Sequence, residues 1–540
     1  MSRPRLFVNV RAWSGAPLAA DAVLVREARI AAVGRADELR SLAPGAEVRD
    51  GGGGTCTPGL VDAHLHLVPW ARGRRQPDLR PARTLAAAVG EVARALAAFP
   101  PGEQPLVGRG WDDEGWEAAP DRARLDALAP GRPVLLHRHD FHALWVNSAS
   151  LRAAGVSRAT PDPPGGRFER DAAGEPTGLV RENAVRAFAA LEEQAAPAAD
   201  APVLDAAAGA LHAEGITGVH DYQRGADDWA RMRALAGRRR LRVLQHVGPE
   251  RAREAGREGL RGGAGDEWFR TGAVKLFADG TLGSRTAALL EPYEDVPGTG
   301  MPLYTPDELA REMGAAAAAG FSVAVHAIGD AAVRHALDAI GAHRAALARA
   351  ALPPRIEHVQ LLHPDDLPRF AALDVAASLQ PQHAEADAPV ARRAWGARCA
   401  RSYPWRTLLE AGARLAFGSD APVEPPLARA GLACAVARLT SDGLPFGPGE
   451  AVTLDAALVA YTAAPAWLAG GGLGRGVLAP GEPADLVVWD RDLHRCTPAA
   501  LGEARPRWTV LAGEIVYDWE HRVVAAPAPG ARAAPPEARA

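Results

Sequence analysis

Two histidines stand two positions apart in "DAHLHL", His64 and His66, and on an extended strand that spacing sends both rings to one side. Three further groups of metal-ligand type close short apolar runs elsewhere: His326 ends "FSVAVH", His358 follows "RIE", and Asp420 ends "LAFGSD". One histidine at a strand end is ordinarily a hydrogen-bonded core residue. Five such groups at the ends of four strand-like runs are hard to obtain by packing accident. Four imidazoles and a carboxylate gathered on one face make a cage for a borderline divalent ion. Zinc is the expected metal, with manganese or iron as alternatives.

Another strand-like run, "GAVKLFADG", carries Lys275, and no other lysine occurs in the 540 residues: of 61 lysines plus arginines, one is lysine and 60 are arginine. A GC-rich genome pushes lysine codons toward arginine, which accounts for the 60 arginines and not for the exception. Val274, Leu276 and Phe277 surround position 275 with apolar side chains, where an unpaired ammonium is expensive. A buried lysine can lose its proton and become a nucleophile, whereas guanidinium stays charged. Two dications close together repel and need an anionic bridge. A neutral lysine that captures carbon dioxide becomes a carbamate, with the charge and the two oxygens of a carboxylate on a longer arm. A lysine kept only for an ion pair would have tolerated the arginine found at every other basic position.

These residues need a scaffold that brings strand ends to one face. Eight short β-like runs, from "GLVDAHLHL" at 59–67 through "GITGVHDY", "RLRVLQHV", "GAVKLFADG", "FSVAVHAIGD", "RIEHVQLL" and "VAASLQPQH" to "RLAFGSDAP", alternate with Ala/Arg-rich helical stretches. The pattern predicts an α/β protein built on a (β/α)8 barrel, whose active site lies at the C-terminal ends of the strands. The first fifty residues and the stretches "GVLAPGEPADLVVWD" and "RWTVLAGEIVYDW" alternate apolar and polar positions instead, as short antiparallel strands do. We therefore expect residues 1–57 and 475–524 to form a composite β-sandwich and residues 58–474 the barrel. About 145 residues separate the first two barrel runs, more than one helix and its loops require, so an inserted subdomain is expected at 70–213. Residues 525–540 are too rich in Ala and Pro to bury a core and are expected to be a disordered tail.

Composition narrows the function classes. A net charge of -4 with both signs interspersed implies neither a nucleic-acid nor a membrane-surface partner. No stretch reaches the roughly 18 consecutive apolar residues of a membrane span, and the opening residues lack a signal-peptide core, so a cytoplasmic location is expected. Four scattered cysteines, Cys56, Cys399, Cys434 and Cys496, show no paired ligand spacing and suit reduced thiols. "GGGG" at 51–54 is followed by no Gly-Lys-Ser/Thr and reads as a flexible turn into the barrel, not a phosphate loop.

The ordered set "PGLVDAHLHL", "VKLFADGTLGSRTAAL", "VAVHAIGDAAV", "RIEHVQLLHPDD", "SLQPQH", "AFGSDAPVEP" and "GEPADLVVWD" resembles the metal-dependent amidohydrolase superfamily. More narrowly it is similar to amidohydrolase family 3, which includes YtcJ-like proteins and N-substituted formamide deformylases. The resemblance implies a binuclear site in which His64 and His66 hold the more buried metal with Asp420, His326 and His358 hold the second, and carboxylated Lys275 bridges them. It implies two zinc ions as cofactors and a small-molecule amide as substrate. Candidate substrate contacts are Trp111 and His142 in the insertion, Asp279 and Arg285 in the loop "DGTLGSRTA", and His383. Trp111, Trp116, Phe141, His142 and Trp145 equally suit a core or lid of the insertion, and His220, His246 and His383 equally suit plain packing or contacts behind the site.

The reaction this implies is hydrolysis of an amide-type, non-peptide C–N bond by a metal-activated hydroxide, with Asp420 and Lys275 as the catalytic side chains. Asp420 takes the proton of the attacking group and returns it to the departing amine. Ester or lactone hydrolysis and deamination use the same metal and base and stay open. A catalytically silent regulatory protein on the same barrel would be marked by lost ligands, and none is lost here. The assembly state stays open too, a homodimer included.

Overall fold

A computed structural model describes residues 3–98, 104–196, 200–222, 227–440 and 442–521. Eight parallel strands follow one another in chain order around a barrel: β1 (Leu60–Leu65), β2 (Ile216–Tyr222), β3 (Arg242–Val247), β4 (Phe269–Phe277), β5 (Val323–Ala327), β6 (Arg355–His358), β7 (Ala376–Leu379) and β8 (Leu415–Phe417). Seven of the strands lie within the runs read from the sequence, and β4 begins three residues ahead of its run, at Phe269. Beyond β8 the chain returns to β1 through a parallel pairing of Leu65 with Ala421. There the Asp420 N–H donates to the His64 carbonyl at 2.6 Å and the His66 N–H to the Ala421 carbonyl at 2.7 Å. Closure of the barrel and placement of three candidate ligands are thus one set of hydrogen bonds.

Every residue of β1, β2, β3, β5, β6, β7 and β8 is buried, which is why these strands read as continuous apolar runs and not as alternations. Helices cover the outer face through stripes at helical spacing: Asp330–Ala342 turns Val333, Leu337 and Ile340 onto the barrel. The register sets Phe277 opposite His326 and Ala327 opposite His358, so the chemistry-bearing ends of β4, β5 and β6 reach one level.

The two ends of the chain form two further sheets. One orders Arg29–Gly34, Ala22–Arg26, Arg5–Val8 and Glu47–Asp50; the other orders Arg11–Ala12, Thr55–Pro58, Leu486–Trp489, Pro506–Leu511 and Glu514–Asp518. They share a core that includes Phe7, Val23, Ile30, Leu486, Val488 and Trp508. Between β1 and β2 lies a five-stranded sheet, Gly166–Arg170, Pro176–Glu182, Ala143–Val146, Val134–Arg138 and Leu106–Trp111, with a core around Trp111 and Trp145. Helix Asp200–His212, at the end of the same interval, buries Leu204 and Leu211 in the barrel's own core. The four cysteines are free thiols, and burial pushes that of Cys56 up to about 12. No helix among the described residues is long and apolar enough to cross a membrane. The expected tail at 525–540 lies outside the described residues.

Candidate metal centre

At the C-terminal mouth of the barrel, potential ligand atoms of His64, His66 and Asp420 converge within 4.8 Å of one another, and so do those of His358, His383 and Asp420. Asp420 belongs to both groups. One of its oxygens lies 3.3 Å from Nε2 of His64 and 3.4 Å from Nε2 of His66. His326 comes in beside them, its ring 4.5 Å from that of His358. Local backbone geometry aims two of these groups: His358 has φ +78° and Asp420 φ +57°, left-handed conformations that turn each side chain where an extended strand would not.

Each imidazole has its second nitrogen engaged, which fixes which nitrogen faces the centre. Nδ1 of His64 lies 2.8 Å from Oε2 of Glu357, Nδ1 of His66 is 3.0 Å from the Tyr222 carbonyl, and Nδ1 of His358 is 2.8 Å from Oε1 of Gln380. These three therefore present Nε2. His326 is reversed, its Nε2 lying 3.0 Å from the Gly280 carbonyl, so it presents Nδ1. Burial is the largest influence holding His64, His326 and His358 below their ordinary pKa; the Lys275 charge adds to it at His64, that of His142 at His326, and that of His326 at His358. Neutral imidazole is the form a metal binds. Burial opposes ionisation of Asp420, but His64, His66 and His358 outweigh it and hold the carboxyl well below its usual range. Neutral imidazoles converging on an ionised carboxylate, with Nε2 of His383 buried and without a hydrogen-bond partner among the described residues, fit a divalent cation.

Lys275 projects from β4 into the barrel, 5% exposed, its Nζ 4.3 Å from the centroid of Tyr222 and 4.9 Å from that of Phe277. Beside it lies a polar layer of which the sequence marks only His220 and His246. Glu357, wholly buried, accepts from His64 through one oxygen; through the other it accepts from Tyr222 Oη–H and pairs with Nε of Arg355 at 3.1 Å. Burial works against ionisation of Glu357, yet Arg355 first and His64 second keep it well below the ordinary carboxylate range. Arg355 in turn lies 3.0 Å from Nδ1 of His220 and against His246. Those two histidines thus sit behind the ligands. The available signal was the charged alternation Arg355, Ile356, Glu357 inside a buried strand, since residues two apart face the same side.

A small cavity of about 40 Å³ opens above the centre, lined by His358, His383 and Asp420 from the barrel and by His139, Asp140 and His142 from the segment between β1 and β2. Nδ1 of His142 lies 2.6 Å from Oε2 of Glu182, and its ring is 5.4 Å from that of His326. Asp140 ties this segment to the loop after β4: it accepts from Arg138 at 2.8 Å, from Thr281 Oγ1 at 3.0 Å and from Ser284 Oγ at 3.3 Å. His383 stands in the first turn of helix Pro381–Trp395, close enough to His358 and Asp420 to share their ligand group as well as the cavity.

Three other candidate substrate contacts do not line the cavity. Trp111 donates from Nε1 to the Leu136 carbonyl at 2.7 Å and packs with Trp116 and Trp145 inside the insertion. Asp279 is fully buried and accepts from the backbone N–H groups of Ala288, Ile328 and Gly329 at 2.8–3.0 Å, while burial pushes its carboxyl up to about 7. Arg285 turns to Asp295, 3.0 Å from Nε, and to the carbonyls of Leu282 and Gly283. These three shape the loop and the insertion from behind.

The model of the amidohydrolase family matches residues 47–517. YtcJ of Bacillus subtilis (strain 168) is 35% identical over 92% of this chain and 96% of its own. The N-substituted formamide deformylase of Arthrobacter pascens is 31% identical over 94% of this chain and 97% of its own. Among solved structures, an uncharacterized metal-dependent hydrolase from Pyrococcus horikoshii OT3 superposes with a TM-score of 0.75 at 26% identity, covering 92% of this chain and 99% of that one.

Proposed function

The chain belongs to the amidohydrolase family, and from that premise we propose that it hydrolyses a non-peptide amide-type C–N bond of a small molecule. His64, His66 and Asp420 would hold one divalent ion, and His326 and His358 a second, with His383 placed to assist. Zinc is the ion this donor set suits best. Bound metal supplies Lewis acidity, which polarises a carbonyl and lowers the pKa of water toward about 7. Lys275 would supply the anionic ligand between the two ions, its neutral amine adding to carbon dioxide and giving up a proton to leave a carbamate.

The chain's own residues carry the proton. Water oxygen adds to the amide carbon while its proton passes to a carboxylate oxygen of Asp420. That proton then moves to the nitrogen as the C–N bond breaks, which releases the acid and a neutral amine instead of an amide anion. His142 and the Asp140 tie bring the insertion over the reacting group and limit water around it.

The observation that carries this reading is the position of Asp420: shared by both ligand groups, 3.3 and 3.4 Å from two of the imidazoles, and on the wall of the cavity. The test is a screen of metal-loaded protein against N-formyl, N-acyl and cyclic amides, with simple esters, lactones and aminopurines beside them. Turnover of an amide is expected. Turnover confined to esters or to amino-purine deamination would overturn the assignment of the bond.

A further inference from the structure

The cavity above the centre is acidic in a way that amide hydrolysis does not require. Of the described residues that line it, none is lysine or arginine, while Asp387 and Glu424 stand on its wall in addition to Asp420 and the Arg138-paired Asp140. Asp387 accepts from Tyr403 Oη at 2.6 Å and from Nε2 of Gln360 at 3.2 Å through the same oxygen, Oδ2. That bond identifies the nitrogen of the Gln360 amide, because a carboxylate only accepts. Oε1 of Gln360 is consequently an acceptor, and it is buried with no hydrogen-bond partner among the described residues, on a side chain 3% exposed that lines the cavity. Glu424 is crowded by like charge: burial and the facing Asp387 push its carboxyl up to about 8, and the nearby Arg80, already paired to Asp78, only partly offsets them.

Asp387, Glu424 and Gln360 line one small cavity together, with no lysine or arginine among its described lining residues. We propose that Asp387, Glu424 and the Gln360 carbonyl form a subsite for a positively charged N–H donor, an ammonium or guanidinium group, so that the substrate is an amide with a cationic substituent. An ammonium offers three N–H donors and a charge, and that charge beside Glu424 favours release of the carboxyl's proton to solvent, which leaves the amide oxygen flanked by two carboxylates. A neutral apolar substituent would leave the Gln360 oxygen unpaired and the Asp387 carboxylate desolvated, at a cost each time it bound. The inference rests on the hydrolase reading for the scissile bond, and on the cavity alone for the charge.

Two arms keep these apart. The first measures binding without chemistry, by calorimetry on the full metal-loaded chain: 4-aminobutanoate against pentanoate and 6-aminohexanoate against heptanoate, pairs in which a methyl replaces the ammonium. For at least one length the amino acid is expected to bind about tenfold or more tightly than its partner, the return of one charge-assisted hydrogen bond in a water-poor site. Glu424→Gln and Asp387→Asn should each shrink that ratio severalfold at unchanged metal content. A ratio near unity at both lengths, no binding of either series, or a ratio untouched by both substitutions overturns the subsite. The second arm compares hydrolysis of N-(4-aminobutyl)formamide with that of N-pentylformamide. Preference for the cationic amide supports the subsite. Equal turnover of both with equal binding sinks the subsite and leaves the hydrolase standing, and failure to cleave either amide with the binding ratio intact does the reverse.

Discussion

Glu357→Gln is the substitution whose consequences the geometry defines most closely. The wild-type carboxylate meets three donors: the His64 imidazole at 2.8 Å on one oxygen, and Tyr222 Oη–H with Arg355 Nε, the latter at 3.1 Å, on the other. A carboxamide has one acceptor oxygen. If it stays with Tyr222 and Arg355, the new NH₂ faces Nδ1 of His64, which must then accept, and the imidazole proton moves to Nε2, where it blocks the lone pair meant for metal. If the amide flips, Arg355 and Tyr222 lose their acceptor inside the barrel. Removing one partner of a buried ion pair costs about 3–5 kcal/mol, and loss of a group that orients a ligand lowers metal affinity roughly 10- to 100-fold. Zinc affinity, read by competition with a chromophoric chelator, and urea unfolding of the metal-free chain report the two effects separately. The sign with pH follows from the lowered pKa of Glu357: its stabilisation is present above the ordinary carboxylate value of about 4.3 and fades as pH falls below it, so the gap between variant and wild type should narrow under acid. Zinc affinity within twofold of wild type, together with equal stability at neutral pH, would refute the reasoning.

Other expectations follow from the same contacts. Lys275→Arg should lose at least one metal and nearly all turnover while staying folded, whereas Lys275→Ala should regain some activity when short carboxylic acids are supplied; an Arg variant with full metal and normal rates would remove the bridge. Asp420→Asn keeps the shape and loses the proton acceptor, so amide hydrolysis should fall by about 10²–10⁴-fold, more than the accompanying loss of metal measured by elemental analysis explains. Asp140→Ala cuts the tie to Thr281 and Ser284 and leaves Arg138 with Asp112 and Asp113 alone. It should cost about 1–3 kcal/mol of stability and raise KM more than it lowers kcat, and steady-state kinetics unchanged from wild type would show that the loop holds itself.

The barrel was legible because strands buried on both faces write themselves as uninterrupted apolar runs, and its candidate metal-binding face because His64, His66, His326, His358 and Asp420 interrupt those runs at one end. What stayed hidden depends on contacts far apart in sequence. Glu357 lies 293 positions from His64, and nothing local marks it as the acceptor for that ring. His383 is a candidate substrate contact by sequence, but only the packing of the first turn of its helix brings it into one ligand group with His358 and Asp420. Trp111 and Arg285 looked like substrate contacts by type, but an indole N–H and a guanidinium go where their partners are, and Leu136 and Asp295 turn them away from the cavity. The acidic wall is equally non-local, since Asp387 and Glu424 come from segments after β7 and β8.

The most direct test of the account is a metal titration followed by turnover. Protein stripped with a chelator should hydrolyse no amide, and zinc or manganese added back should restore hydrolysis in proportion to the metal bound, with Lys275→Arg failing to follow the same curve. Full hydrolysis by wild-type protein that elemental analysis shows to carry well under about one equivalent of metal per chain would contradict it.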